Sequence, residues 1–597
     1  METTFQKNSR QLIVITIASI IAIALLAYGL SDLDFGKKFV TKFSYYLILI
    51  MTGFWVFITM PFFRETLKNK FMQVVICFLM TVTVFVSIPP KYRVLSDETN
   101  LLSVSQSMTY RRDILNVTQS KFYYGNFNVV QGDLPTRPLL FPFFTSIVHT
   151  LTGYRYQNVF VLNFLILFAF LTMTFLTVEP KLGRLSAIAA CLLLLSVPTL
   201  TLSASSGGFD VCSLFFFGLS FVLLYRFLDA PSSERFGMLL IQLILLAQIR
   251  YESIAYVAVI LGILFVLRKI KLEMITKNTA LFAAAPFFII PMLLQRKLTP
   301  NTFENPPGVP PFAFDHFLKH FKILAESMVF VQPDYPYPSY LNWLAIIMLV
   351  ILIVKIVPNF KKYLDEKKSI FTVLVLANVA LGLTIVLFHH FGLFPHPTQA
   401  RLFLIFLVFL AMMPVVFRYF YPQLLTERKL FALAAVSFAL YHPVATQGRF
   451  TNSLTIIRET EDLYRFLNQL NDPKIMIIAE RPGQFTVANF GAVGFGFANG
   501  NKGALLNDLS RGLFSDMWVL QKYSFETGKP LKDQELAPEF VLETVQDNMV
   551  TASEFVRISK VKHAFYPVQA EKPAPVASPT PKLNKELNKI LENVKFK

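Results

Sequence analysis

Long apolar runs separated by short polar stretches dominate the first 440 positions of this chain. Such runs predict helices that cross a lipid bilayer, although several are shorter than the roughly 20 residues that a perpendicular crossing needs. The two runs flanking Arg250 and the final run are the weakest candidates. Thirteen runs stand out, near Leu12–Leu30, Tyr45–Phe62, Phe71–Ile88, Asn158–Val178, Leu185–Ser203, Phe209–Leu228, Phe236–Ile249, Ser253–Leu267, Thr279–Leu294, Asn342–Val357, Ile370–Phe388, Leu402–Phe417 and Leu430–Leu440.

The pattern changes after about Tyr441. Ser453–Leu470 has the periodicity of an amphipathic helix, Lys474–Ala479 is typical of a buried strand, and Arg481-Pro-Gly predicts a turn. Residues 441–570 are therefore expected to form a small α/β domain outside the cytoplasm. Residues 571–597 begin as a Pro/Ala linker and end in a basic stretch, for which a solvated tail is favoured over an amphipathic helix.

Composition agrees with a membrane protein. The chain has 597 residues, of which 54% are hydrophobic and only 16% charged, against about 25% charged in ordinary soluble proteins. Its net charge of +18 would suggest a nucleic-acid partner in a soluble chain, but here the excess lies in short loops between apolar runs. That placement indicates membrane orientation and excludes a nucleic-acid binder. The three cysteines, which lie in or beside apolar runs, form no metal-ligand spacing.

Basic loops predict the orientation in the cytoplasmic membrane. With the N-terminus (Lys7, Arg10) in the cytoplasm, nearly all Lys/Arg clusters fall inside, provided that Pro138–Gly153 does not cross and instead forms an interfacial helix. The outer face then receives a first loop (89–156), a proline-rich loop (295–341) that is either a flap or a spacer, and the C-terminal domain. Two extra helices (1–70) precede a membrane domain (71–440).

Acidic residues next to apolar helices are the first candidates for chemistry. Asp97 and Glu98 lie in the first outer loop, where Leu101–Leu115 is expected to be helical and where Gly125, Asn126, Gly132 and Asp133 indicate turns. Asp210 lies at the outer end of an apolar run, where an ionisable group is costly and usually faces a cavity or a partner. The alternative for both sites is capping of a helix, by Ser96 or Asp97 and by Asp210.

Three arginines at the outer ends of helices are the second set of candidates. Arg137, Arg250 and Arg401 could each bind an anionic headgroup, because a guanidinium binds a phosphate with two parallel hydrogen bonds. The alternative is a structural ion pair, such as Arg250 with Glu252. The histidines at 389, 390 and 396 have no compact metal-ligand spacing, so a zinc site is not favoured.

Together these residues resemble a known family. The order and spacing of Asp97-Glu98-Thr99, a helical stretch, Gly125-Asn-Phe, and Arg137-Pro-Leu-Leu-Phe-Pro before Gly153 is similar to the first outer loop of lipid-dependent GT-C glycosyltransferases. The closest likeness is to the branch of aminoarabinose (lipid A) transferases and protein O-mannosyltransferases. It covers about Phe71 to Leu267. The fold that it implies is an all-α polytopic membrane protein of about 13 transmembrane helices, with interfacial helices in the first outer loop, plus the small α/β domain.

The resemblance also implies a reaction. A polyprenyl-phosphate sugar would donate its sugar to a hydroxyl of a lipid, glycan or protein outside the membrane, with inversion at the anomeric carbon. Asp97 would be the general base, with a pKa that desolvation would raise and that a nearby cation would oppose. Arg137, Arg250 and Arg401 would stabilise the leaving phosphate. Asp210 and Glu98 would orient the acceptor or the arginines. No cofactor and no metal is expected, although the three acids are a conceivable divalent site.

Two other classes of function compete with an enzyme. A transporter or flippase for lipid-linked precursors would show internal repeats and broken helices near the bilayer centre; the sequence has no repeat, and its acids gather near one surface. A non-catalytic scaffold whose exported domain binds a partner is also compatible with the sequence.

Overall fold

The computed structural model describes residues 2–123, 126–299, 308–330, 339–356, 365–394, 396, 398–446, 455–470, 472, 474–549 and 553–562. The expected turn residue Gly125, residues 300–307 and 331–338 of the proline-rich 295–341 loop, and the 571–597 tail lie outside these residues.

Helices make up most of the described chain. The first thirteen are α1 Glu2–Ser31, α2 Leu33–Leu67, α3 Phe71–Ser87, α4 Leu95–Arg111, α5 Leu140–Thr152, α6 Asn158–Leu182, α7 Arg184–Leu195, α8 Pro198–Ala204, α9 Asp210–Asp229, α10 Ser233–Ala247, α11 Ser253–Val266, α12 Leu272–Lys277 and α13 Thr279–Leu298. They are followed by α14 Phe314–Val329, α15 Ser339–Ile356, α16 Glu366–Phe388, a 3-10 turn at Ala400–Phe403, α17 Leu404–Ala411, α18 Met413–Phe420, α19 Glu427–Thr446, α20 Thr455–Leu470, α21 Pro482–Val487, α22 Phe495–Gly500 and α23 Lys502–Ser510.

The membrane character predicted from the sequence is confirmed. Among the described residues, eight helical segments are long and apolar enough to cross a bilayer, and the α7–α8 pair adds a ninth as a broken span. The predicted run Leu185–Ser203 is therefore not one straight helix: it bends by 80° where Pro198, which lacks an N–H and opens α8, interrupts it. The expected interfacial helix is α5, whose 13 residues are too few to span a bilayer.

The bundle is organised around α9. The most apolar window of α9 is 78% buried, whereas the corresponding window of α1 is only 11% buried. Side chains of α9 pack against α6 and α10, and α1 lies against α2 and α13 at the periphery. Residues 1–70, expected as two extra helices, thus form α1 and α2 on the outside of the bundle.

A seven-stranded mixed sheet lies beyond one end of the bundle. Its strands are β1 Asn116–Tyr123, β2 Asn126–Asp133, β3 Met476–Ala479, β4 Gly491–Val493, β5 Met517–Ser524, β6 Leu542–Met549 and β7 Glu554–Val561, in the order β2-β1-β4-β3-β5-β7-β6. Strand β3 pairs in parallel with β4 and β5, and the other pairs are antiparallel. The predicted α/β architecture of the C-terminal region is confirmed.

Two of these strands, β1 and β2, belong to residues 89–156, where the sequence analysis predicted no strand. Asn126, Gly132 and Asp133 were expected in turns but lie in β2, and the predicted helix 101–115 ends at Arg111. Arg481-Pro-Gly leads into the short helix α21 rather than forming only a turn. The misreading has a physical cause, because β1 is stabilised by pairing with β2 and with β4, and β4 is more than 360 residues away in sequence.

The first outer loop and the C-terminal domain also meet through buried side chains. Gln106 of α4 donates from Nε2 to the Thr486 carbonyl at 2.9 Å, and Ser120 Oγ lies 3.1 Å from Thr486 Oγ1. Tyr154 donates to the Val487 carbonyl at 2.7 Å. These contacts fix α4, which carries Asp97, against helix α21 of the C-terminal domain.

Replacing Gln106 with alanine should therefore destabilise the protein, because the buried Thr486 carbonyl would lose its hydrogen-bond donor. We expect a loss of about 1–3 kcal/mol, seen as a lower midpoint of thermal unfolding in detergent. The exposed Gln546 of β6 provides a matched control, and Gln546→Ala should leave the midpoint unchanged. Equal midpoints for both variants would contradict the structural role of Gln106.

Candidate functional site

Six charged side chains form one continuous chain of ion pairs at the end of the bundle nearest the sheet. In order of contact they are Arg137, Asp97, Arg401, Asp210, Arg250 and Glu252, so that cations and anions alternate. Below, these six residues are called the charge chain. It includes five of the six site residues that the sequence suggested, Glu98 being the exception.

Each aspartate of the charge chain contacts two arginines. Arg137 Nη2 lies 2.6 Å from Asp97 Oδ1, and Arg401 Nη2 contacts Asp97 Oδ2. Arg401 Nη1 lies 3.1 Å from Asp210 Oδ2, and Arg250 Nη1 lies 2.5 Å from Asp210 Oδ1. Arg401 therefore bridges the two carboxylates. The suggested structural pair of Arg250 with Glu252 is also present, through Arg250 Nε.

The side chains of the charge chain are largely buried. The side chains of Asp97 and Asp210 are 7% and 3% exposed, those of Arg401 and Arg250 are 13% and 12% exposed, and Arg137 is the most open arginine at 26%. Ion pairs with so little solvent are screened weakly. The two ends of the charge chain, Arg137 and Glu252, are its most exposed members, each at 26%.

Asp210 is held by the loop that precedes α9. The helix begins at Asp210 itself, with Phe209 as N-cap residue, so the capping alternative for Asp210 is wrong. The buried amide of Asn163 donates to the carbonyls of Ser206, at 2.7 Å, and Gly208, at 2.8 Å. A Cβ on Gly208 would come within 3.1 Å of Asp210 Oδ2. A side chain at residue 208 would therefore crowd the carboxylate, which would have to shift by a few tenths of an ångström.

The arginines are positioned through backbone carbonyls. Gln295 of α13 donates from Nε2 to the carbonyls of Pro135, at 2.7 Å, and Arg137, at 2.8 Å. The Tyr251 hydroxyl donates to the carbonyl of Thr136. Arg401 Nε donates to its own turn, at the Thr398 carbonyl, at 3.0 Å. The sequence did not indicate that Gln295 and Tyr251 position Arg137, because both are far from it along the chain and no local pattern connects them.

Glu98 lies beside the charge chain and has a different set of contacts. Its carboxylate accepts hydrogen bonds from the backbone N–H of Arg93, at 3.1 Å, and of Val94, at 3.0 Å. It thereby fixes the entry to α4. Capping by Ser96 or Asp97, the alternative from the sequence, is wrong, because α4 starts at Leu95 and its N-cap Val94 has no side-chain cap. A catalytic role for Glu98 stays a prediction.

Burial and charge act in opposite directions on Asp97. Burial alone would raise the pKa of this carboxyl, but Arg401 and Arg137 outweigh it and lower the pKa to about 2. The raised pKa expected for a general base is therefore wrong for this arrangement. Burial does raise the pKa of Glu98, to about 7, against the hydrogen bonds from Val94 and Arg93 that favour its ionised form.

The charge chain can bind an anion by exchange. Its three arginines and three carboxylates sum to zero charge, so an incoming phosphate would compete with Asp97 and Asp210 for the same guanidinium groups.

The histidines at 389 and 390 lie with His316 and His320 near the start of the loop that leads to Arg401. Among the described residues, no group of three or more His, Cys, Asp or Glu side chains could hold a metal ion.

Arg401 should be essential to the stability of the charge chain. Arg401→Gln removes the bridge between two buried carboxylates, and we expect a loss of about 3–5 kcal/mol. Adding Asp97→Asn should recover part of that loss, because one of the two unpaired charges is then gone. Unfolding of the two single variants and the double variant in a double-mutant cycle checks this. Strictly additive effects would show that the two side chains are not coupled.

Glu98 should make stability depend on pH. Because its folded pKa, about 7, lies above the 4.5 of an ordinary glutamate, its contribution is fully present below about pH 4.5 and is lost as pH rises through 7. Glu98→Gln keeps an acceptor for the backbone N–H groups but cannot ionise. As the pH rises from 5 to 8, the unfolding midpoint of Glu98→Gln should therefore increase relative to that of the parent. A difference that is constant over this range would contradict the raised pKa.

Comparisons with known proteins give structural likeness only. No protein-family model and no curated protein sequence matches the chain. ArnT from Cupriavidus metallidurans bound to undecaprenyl phosphate is 13% identical with a TM-score of 0.47, over 81% of this chain and 97% of that one.

Two further solved structures are similar to parts of the chain. The oligosaccharyltransferase from Archaeoglobus fulgidus in the apo form is 11% identical with a TM-score of 0.38, over 76% of this chain and 69% of that one. The arabinosyltransferase EmbB from Mycobacterium smegmatis is 12% identical with a TM-score of 0.28, over 63% of this chain and 40% of that one. Likeness at this level assigns no activity, which has to be argued from the side chains themselves.

Proposed function

We propose that this protein is a membrane glycosyltransferase that moves a sugar from a polyprenyl-phosphate donor to an acceptor hydroxyl at the outer face of the cytoplasmic membrane. The observation that carries the proposal is the charge chain: three arginines and two aspartates from five distant segments meet at one end of a membrane-spanning bundle. These are the residues for which the sequence resemblance implies binding of the donor phosphate and proton transfer.

The arginines suit a phosphate that becomes the leaving group. Guanidinium groups bind phosphate oxygens with two parallel hydrogen bonds and stabilise negative charge as it develops. Arg401 and Arg250 are almost fully buried, so their field is screened little by water. A lipid-linked donor brings its phosphate to the membrane surface, which is the level expected for the ends of α9 and α10 and for the turn at Arg401.

The reaction is a single displacement. The acceptor oxygen attacks the anomeric carbon from the face opposite the phosphate, the new carbon–oxygen bond forms, and the bond from that carbon to the phosphate oxygen breaks. The acceptor proton passes to the Asp97 carboxylate, and the electron pair of the broken bond leaves on polyprenyl phosphate. One displacement inverts the configuration at this carbon. No general acid is needed, since the leaving group is already an anion.

Donor binding would activate Asp97. With Arg401 and Arg137 in place, the pKa of Asp97 is about 2, which is too low for an efficient base at neutral pH. A donor phosphate that draws these arginines away would remove the interaction that lowers the pKa, while burial would continue to raise it. Asp97 would then become basic only when the donor is bound.

Asp97→Asn should abolish sugar transfer per folded molecule, beyond any loss of stability caused by its broken ion pairs. A positioned general base contributes about 100- to 10,000-fold to a rate, so we expect kcat with a synthetic polyprenyl-phosphate sugar to fall at least about 100-fold. The assay uses full-length purified protein and follows release of polyprenyl phosphate by mass spectrometry.

Asp113→Asn is the matched control. Asp113 is also fully buried and ion-paired, with Lys42 at 2.9 Å and Arg111 at 3.0 Å, but it lies outside the charge chain. It should retain kcat within a few-fold of the parent. Full activity in Asp97→Asn would remove Asp97 from the base role, and failure of the parent to release polyprenyl phosphate from any such donor would overturn the proposed function.

A further inference from the structure

A large apolar cavity lies inside the bundle at the end opposite to the charge chain. It has a volume of about 890 Å³, is partly open to its surroundings, and is lined by α2, α3, α6, α9, α16, α17 and α18. Its position follows from α9, which begins with Asp210 at the charge chain and reaches the rim of the cavity at Arg226. Sixteen residues of helix separate the two, a distance of about 24 Å. The cavity is therefore separate from the proposed catalytic site.

The inner wall of the cavity is apolar. Phe215 and Phe168 lie at its deep end, and Phe371, Phe409 and Met413 line its sides. Its volume falls in the range of about 300–1,000 Å³ that is usual for ligand-binding cavities. An apolar space of this size inside a membrane protein suits hydrocarbon better than water, because its walls offer few hydrogen-bond partners.

The rim of the cavity is basic and aromatic. Among the described lining residues, Lys181, Arg226 and Lys368 are cationic and none has a carboxylate. Tyr225 and Tyr419 lie beside them, and Lys181 Nζ is 4.1 Å from the centroid of the Tyr225 ring. Tyrosines together with Lys and Arg are typical of the level where lipid headgroups meet the hydrocarbon region.

The rim cations are only weakly engaged within the chain. Arg226 Nη2 is 3.4 Å from Glu65, whose side chain is 75% exposed, and Lys368 Nζ is 3.5 Å from Asp365, whose side chain is 49% exposed. Exposed ion pairs of this length contribute little. Arg226 also lies 4.6 Å from the centroid of the buried Phe62 ring, a contact that a phosphate need not disturb. A phosphate at the rim could therefore take these cations without breaking a buried ion pair.

We propose that this cavity binds an anionic glycerophospholipid, with its phosphate at Lys181, Arg226 and Lys368 and an acyl chain in the apolar interior. The positive-inside orientation predicted from the sequence places this lipid in the cytoplasmic leaflet, on the other side of the membrane from the donor. Because α9 and α6 run from the cavity to the charge chain, the lipid would brace the helices that carry Asp210 and its supporting Asn163. The site is independent of the proposed sugar transfer.

The test uses full-length protein in detergent and native mass spectrometry with two added lipids, phosphatidylglycerol and phosphatidylcholine. The parent should retain phosphatidylglycerol and should be stabilised by it more than by phosphatidylcholine. The triple variant Lys181→Ala, Arg226→Ala, Lys368→Ala should lose at least about ten-fold in affinity. Equal retention of both lipids by the parent would overturn the proposal.

Two further variants exclude simpler explanations. The matched triple Arg268→Ala, Lys271→Ala, Arg428→Ala removes three cations that do not line the cavity and should retain phosphatidylglycerol like the parent. Ala169→Trp, which places a large side chain in the cavity while keeping all rim cations, should also lose the lipid. Retention by Ala169→Trp, equal loss in the two triples, or a polyprenyl phosphate as the retained molecule would each contradict the proposal.

Discussion

The structure depends on the bridge that Arg401 makes between Asp97 and Asp210. Two buried carboxylates at the end of one bundle would repel each other and would be costly to remove from water. One guanidinium between them, with Arg137 and Arg250 at the flanks, offsets that cost, and Glu252 beside Arg250 brings the sum of the six charges to zero. The same arrangement lowers the pKa of Asp97 and holds three arginines next to one another, so stability and the proposed anion binding have a common cause.

The bridge requires the whole fold, because its members come from separate segments. Asp97 is carried by α4, Asp210 by the first turn of α9, and Arg401 by the 3-10 turn before α17; Arg401 is 304 residues away from Asp97. Helix α21 of the C-terminal domain fixes α4 through Gln106, and Asn163 fixes the loop before α9. The C-terminal domain therefore has a physical link to the site, since two of its neighbouring strands belong to the loop that carries Asp97.

The sequence predicts some of this and omits the rest for physical reasons. Apolar runs and basic loops follow local rules of the bilayer, so the membrane segments could be read from the chain. The acids and arginines could be selected singly because charge beside apolar helices is costly, but their pairing depends on contacts across hundreds of residues. For the same reason the pairing of β1 with β4, the support from Gln295 and Tyr251, and the lowered pKa of Asp97 could not be predicted.

The most direct test of the central claim is a structure of the full-length protein with a non-transferable polyprenyl-phosphate sugar analogue, determined by electron cryo-microscopy. We expect the phosphate within hydrogen-bond distance of Arg401 and of at least one of Arg137 and Arg250, and Asp97 separated from Arg401 and facing the anomeric carbon. An analogue bound elsewhere, with the contact between Asp97 and Arg401 intact, would contradict the account.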